Sequence, residues 1–163
     1  MPVADTNFSS LLNVSLFNPT TSSTGLNQNS LVRFLDEYVL DFNLALTKLD
    51  ADLGVTDTNY NSTLAIVDNV NNLPADPIKN NGMFQGAMVT LLGLARTRFN
   101  LLLAKLDLDG GVTDTNYNAL LNLPAIDENQ ISQGGVNQGA LYTRINLMRV
   151  NINTLLTKLD ADA

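Results

Sequence analysis

The residues best suited to chemistry are aspartates in pairs. Asp50 and Asp52, Asp107 and Asp109, and Asp160 and Asp162 form three Asp-x-Asp units, and Asp57 and Asp114 follow the first two. Carboxylates this close together are calcium ligands when a loop wraps them around the ion. The spacing fails the EF-hand pattern, because the glycine and the bidentate glutamate expected further along the loop are not in place. A structural role has its own difficulty: each pair falls at the end of a predicted helix, where the macrodipole disfavours an anion. Lys48, Lys105 and Lys158, in the turn before each pair, or the N-terminus of a neighbouring helix, would offset that charge without a metal. The expectation is therefore no metal and no cofactor.

Other chemistry is scarce. The chain has no Cys and no His, which removes the thiol nucleophile, the disulfide, the imidazole base and the ordinary zinc or iron site. No phosphate loop or nucleophile elbow occurs, and the expectation is that the protein is not an enzyme. Tyr60 and Tyr117 sit where packing explains them, and Arg96, Arg98, Arg144 and Arg149 are expected to be solvated or to pair between helices with Asp36, Glu37 or Asp41. Nine Lys and Arg against sixteen Asp and Glu, net charge -7, are scattered along the chain, so there is no basic face for a nucleic acid or an anionic membrane. Residues 1–29 lack the basic start and apolar block of a signal peptide, and no run reaches the roughly 18 apolar residues of a membrane span. Charged residues are only 15% of the 163, against a usual value of about 25%, so the polar faces are mostly uncharged and suited to packing against neighbours.

These residues belong to a repeat. LALTKLDADLGVTDTNYNSTL surrounds Lys48, LLLAKLDLDGGVTDTNYNALL surrounds Lys105, and NTLLTKLDADA closes the chain around Lys158, at offsets of 57 and 53 residues. The copies divide at about 28–84, 85–137 and 138–163, and the third stops before its GVTDTNY. Upstream of each Lys the apolar residues step alternately by four and three, as on a helix facing other helices. They are Leu31, Leu35, Tyr38, Phe42, Ala45 and Leu49; Met88, Leu92, Ala95, Phe99, Leu102 and Leu106; and Leu141, Ile145, Met148, Ile152, Leu155 and Leu159. The pattern predicts long helices over about 29–52, 86–109 and 139–161.

GVTDTNY reads as a helix stop followed at once by a helix start. Gly54 and Gly111 suit the left-handed residue that closes a helix. Thr56 and Thr113 are natural N-caps, Asp57 and Asp114 suit the positive end of a new helix, and Val55 and Val112 are placed to staple onto Tyr60 and Tyr117. Short helices are expected over about 57–70 and 114–122, ending near Leu73–Ala75 and Leu123–Ala125.

The expected fold is all-α: three long repeated helices in a bundle over 28–163, with short helices returning outside it. The reach of a short helix plus its loop permits successive long helices to run parallel about a pseudo-threefold axis, and an up-down bundle is the alternative. Residues 1–27, with Leu11, Leu12, Leu16 and Phe17, read as an extended, non-helical arm able to reach a neighbour. The middle helix carries a second apolar stripe, Leu91, Leu94, Leu101 and Leu108, to be covered by the chain itself or by another copy in a homo-oligomer.

The string KLDxDxGVTDTNY, at Lys48–Tyr60 and Lys105–Tyr117, resembles a helical repeat of virion structural proteins in tailed bacteriophages, especially marine and cyanobacterial ones. That resemblance implies a virion location, partners among capsid or connector subunits, and no catalytic residues. The function expected from it is a capsid decoration or cement protein. A head-tail connector, neck or fibre-associated protein is the alternative in the same class, and a host-binding adhesin lies outside it.

Overall fold

A computed structural model describes residues 2–12, 14, 28–67, 85–124 and 138–162, excluding the side chains of 28–32, 85–89 and 138–142. Among these residues the structure is all-helical, with no strand and no helix long and apolar enough to cross a membrane. The helices are α1 (Phe8–Leu12), α2 (Gln28–Ala51), α3 (Tyr60–Leu64), α4 (Gln85–Leu108), α5 (Tyr117–Leu121) and α6 (Gln138–Ala161).

The three long helices have 24 residues each, about 36 Å at 1.5 Å per residue, and their bounds repeat the sequence offsets of 57 and 53. All three end alike: the N–H groups of Asp52, Asp109 and Asp162 donate to the carbonyls of Leu49, Leu106 and Leu159 at 3.1–3.2 Å, tightening the last turn. Every heptad residue whose side chain is described, from Leu35 to Leu49, Leu92 to Leu106 and Ile145 to Leu159, is no more than 3% exposed. Leu46, Leu103 and Leu156, again in register, widen the stripe, and one apolar cluster joins the long helices to the short ones.

The N-terminal segment overturns the expectation of an extended arm. Residues 8–12 form α1, and Val3, Phe8, Leu12 and Val14 are buried in the common core. Pro2–Val14 matches Gly54–Ile66 and Gly111–Leu123 position for position, so PVADTNF is the third copy of GVTDTNY, placed at the other end of the sequence. The physical reason is that an amphipathic pentapeptide helix flanked by Val3 and Val14 loses more by staying in water than by burying its apolar face against α6. Each short helix packs on a long one: α3 on α2, α5 on α4, and α1 on α6. Each also touches a second: α1 on α2, α3 on α4 and α5 on α6. Leu16 and Phe17 lie outside the described residues.

The short helices are shorter than expected. Tyr60–Leu64 and Tyr117–Leu121 begin three residues later than Asp57 and Asp114, and residues 68–70 of the first expected helix lie outside the described residues. Asn59 and Asn116, not Thr56 and Thr113, stand at the N-cap, and neither caps with its side chain.

Candidate functional site

The three corners are built from one set of contacts. The first aspartate of each pair caps a short helix from outside: Asp50 accepts from the N–H of Tyr60 (2.6 Å) and Asn61 (2.9 Å), and Asp107 from Tyr117 (2.7 Å) and Asn118 (3.0 Å). Asp160 accepts from the N–H groups of Phe8 and Ser9 in the same way. The carboxylate that the long helix's dipole disfavours thus meets the positive end of a short one, and the short helix has no need of its own capping side chain.

The second aspartate joins consecutive corners. Asp109 accepts from Gly111 N at 2.8 Å in its own corner and from Thr56 N and Asp57 N at 2.9 and 3.0 Å in the previous one. Asp52 accepts from Gly54 N at 2.7 Å and from Ala4 N and Asp5 N at 2.9 and 2.8 Å. Asp162 accepts from Thr113 N and Asp114 N at 3.0 and 2.8 Å, and from Val3 N at 3.3 Å, because Pro2 stands at the glycine position and has no N–H. Among the described residues these three are the buried charged side chains, 6–7% exposed. For Asp52, burial pushes the carboxyl's pKa up, but the N–H groups of Ala4, Asp5, Gly54 and Val55 outweigh it and hold the pKa below the usual carboxylate value. Asp109 is depressed likewise, burial being overcome by Asp57, Gly111 and Thr56 N–H and by the Tyr60 hydroxyl, which donates at 2.8 Å.

Two more contacts complete each corner. Lys48, Lys105 and Lys158 pair with Asp5, Asp57 and Asp114, and each ammonium lies 4.5–4.6 Å from the ring centre of Phe8, Tyr60 or Tyr117. Asn43, Asn100 and Asn153 each hold one residue, Ile66, Leu123 and Val14, by accepting from its N–H and donating to its carbonyl at 2.8–2.9 Å. The lysines therefore clamp a neighbouring segment and do not neutralise the pair that follows them. Asp57 and Asp114 answer those lysines, not their own helices.

Gly54 and Gly111 are required for a different reason from the expected one. Neither has the left-handed φ of a helix-closing glycine; a Cβ on Gly54 would lie 1.8 Å from the Pro2 carbonyl oxygen, and one on Gly111 2.0 Å from that of Gly54. The turns at Pro2, Gly54 and Gly111 stack backbone on backbone in that order, and at Gly54 and Gly111 only hydrogen fits. Val55, Val112, Tyr60 and Tyr117 are buried beside these turns.

All six carboxylates of the Asp-x-Asp pairs are acceptors for backbone N–H, and no group of three or more acidic, His or Cys side chains is arranged for a metal among the described residues. Three of the four arginines have hydrogen-bond partners other than Asp36, Glu37 or Asp41. Arg96 donates to the carbonyls of Leu123 and Pro124, Arg98 to that of Thr63, and Arg149 to the Asn146 side chain. The residues considered for partner contact do not share one surface: Leu12 and Leu91 are in the core and Leu94 is half-buried against it, while Leu11, Leu101 and Leu108 are exposed. Sequence reading missed two parts of the site, the segment at Pro2–Val14 and the asparagines. The signals were present: Asp5-Thr6-Asn7 repeats Asp57-Thr58-Asn59, and Asn43, Asn100 and Asn153 keep the offsets of the lysines.

Comparison with family models, curated proteins and solved structures gives no match.

Proposed function

We propose that the protein is a non-enzymatic structural component of a phage particle, a decoration or cement protein seated among major capsid subunits. Its body, on this reading, is a bundle of three parallel long helices about a pseudo-threefold axis. The parallel arrangement is supported by the chain of contacts among corners, since the C-terminal ends of α2, α4 and α6 are all tied to the same three turns. It is supported too by complementary sizes at equal register: Tyr38 with Ala95 and Met148, and Ala45 with Leu102 and Leu155, all buried.

The observation that carries the functional reading is that the groups of the repeat capable of chemistry are spent on joining corners. A body so tied is a spacer and adhesive surface, in keeping with the virion repeat that its sequence resembles. The outer surface offers exposed leucines, Leu11, Leu101 and Leu120, with Leu40 and Leu44 one turn apart on α2, which suits contact with protein. The test is the number of copies in purified particles, measured by quantitative mass spectrometry. Hundreds per particle are expected for decoration; a dozen or so would mean a connector or neck component. Absence from particles combined with glycan-array binding would replace the reading with an adhesin.

A further inference from the structure

Corner segments 54–66 and 111–123 follow in the chain directly from the long helices on which they pack, but segment 2–14 does not. Its partners Asn153, Asp160 and Asp162 lie 139–159 residues away. It is nevertheless a complete plug. Val3, Phe8, Leu12 and Val14 fill the core, and backbone groups of Val3, Phe8, Ser9 and Val14 are held by α6 and the Asp162 that ends it. Ala4, Asp5 and the Phe8 ring are held on the other side by Asp52 and Lys48.

We propose that segment 2–14 is an exchangeable clasp, which docks between α6 and α2 of a second copy of this chain and so joins two copies by reciprocal swapping. The seam involves the segment, the two long helices and the turn at Asp52–Gly54, all present in any copy, so a segment from another copy makes every contact that the chain's own segment makes. The choice between the two is set by the connector, residues 15–27, and by protein concentration, not by any contact at the seam. This joint also has a weaker turn: Pro2 replaces a glycine N–H, and an open cleft lined by Pro2, Thr113, Asp114 and Asp162 lies there. The proposal does not depend on the particle reading.

The full chain has no cysteine, so single labels are simple to place at the exposed positions Ser10 and Thr157. One batch of S10C carries a donor fluorophore and one batch of T157C an acceptor; the two are mixed near 1 mM, warmed through partial unfolding and cooled. Exchange predicts energy transfer between chains and a dimer on size-exclusion chromatography, both lost on dilution to about 1 µM with rewarming. A second variant deletes residues 16–26. If the long helices are parallel, the connector must climb from the level of Asn153 to that of Gln28, about 22 Å, and the two residues left span only about 11 Å. That variant should dimerise at a concentration at least about 100-fold lower than the full chain, with unchanged helical circular dichroism. A folded, monomeric deletion variant with residues 2–14 still protected from hydrogen exchange would overturn the parallel arrangement from which its length was chosen, and one with them unprotected would overturn the exchange. No transfer in the full-length mixture would overturn the exchange itself.

Discussion

Two kinds of joint hold this molecule, and they differ in what links them. At α2–α3 and α4–α5 the chain runs from long helix to corner without interruption, whereas at α6–α1 the same corner is assembled from opposite ends of the sequence. The contacts are nevertheless the same in type: carboxylate to two N–H groups at a short helix, carboxylate bridging consecutive turns, lysine over an aromatic ring, and asparagine on one residue's backbone. The covalent link is therefore not what creates the corner. The aspartates and the close approach of backbones do that, and the peptide bond only raises the local concentration of a segment that would dock anyway.

The largest effect should come from the stacked turns. Gly111→Val, and equally Gly54→Val, would drive a side chain into a carbonyl oxygen, and is expected to cost about 3–5 kcal/mol or to prevent folding, as read by urea denaturation. Gly93→Ala is the control: a Cβ there meets nothing within 4 Å, and the change inside α4 should stabilise by about 0.5–1 kcal/mol. If both valine variants melt with the parent, the corners do not stack as described.

Next come the bridging carboxylates, where the two kinds of joint should separate. Asp109→Ala and Asp162→Ala each orphan buried N–H groups, at a cost of about 2–4 kcal/mol. Asp160→Ala should do something more local, releasing residues 2–14 while α2–α5 keep their protection. Hydrogen exchange resolved by segment distinguishes them. Equal loss of protection over the whole chain in Asp160→Ala would erase the distinction between the joints.

A smaller contrast lies in pH. Asp52 and Asp109, with folded pKa values below the ordinary one, supply stability that is present above about pH 4 and is lost as the pH falls below it. Asp41 works in the opposite sense: burial, and then the charge of Glu37, raise its pKa to about 6, so its favourable contribution is lost as the pH rises through 6. The melting temperature should therefore rise on going from pH 7.5 to 5 and collapse below about 3.5. Asp41 stands in register with Arg98 and Asn151, which donate to the carbonyls of Thr63 and Leu121. Asp41→Asn should flatten the upper limb and add about 1 kcal/mol at pH 7, the value being kept low because the side chain is only partly buried and water screens it. An unchanged upper limb in that variant would assign it to another group.

The smallest effects compare the rings. Tyr60→Phe removes a hydrogen bond to a buried carboxylate and should cost about 1–2 kcal/mol. Tyr117→Phe removes a buried hydroxyl with no partner and should be neutral or slightly stabilising, as Phe8 at the same position already suggests. Equal costs would mean that the two hydroxyls have the same surroundings.

The long helices were legible in the sequence because a heptad pattern repeated three times has one simple reading, and their buried faces follow it residue by residue. The corners were legible as corners and not in their workings. Capping was assigned to the nearest suitable residue, Thr56 or Thr113, whereas the carboxylates that do the work sit ten residues earlier, on the preceding helix. Local rules weigh neighbours in sequence, and a contact across two helices leaves no local trace. The N-terminal copy escaped for a related reason: Pro2, Ala4 and Phe8 replace three residues that make GVTDTNY conspicuous.

The asparagine and aspartate docks grip main-chain atoms, so they are indifferent to the side chains that point away from the body. Ser10, Ser62 and Ala119, and next to them Leu11, Thr63 and Leu120, occupy equivalent exposed places on three short helices, and the pairs Ser-Leu, Ser-Thr and Ala-Leu already differ from one another. One scaffold can thus carry three unlike addresses, each free to drift toward its own neighbour while the frame beneath stays as it is.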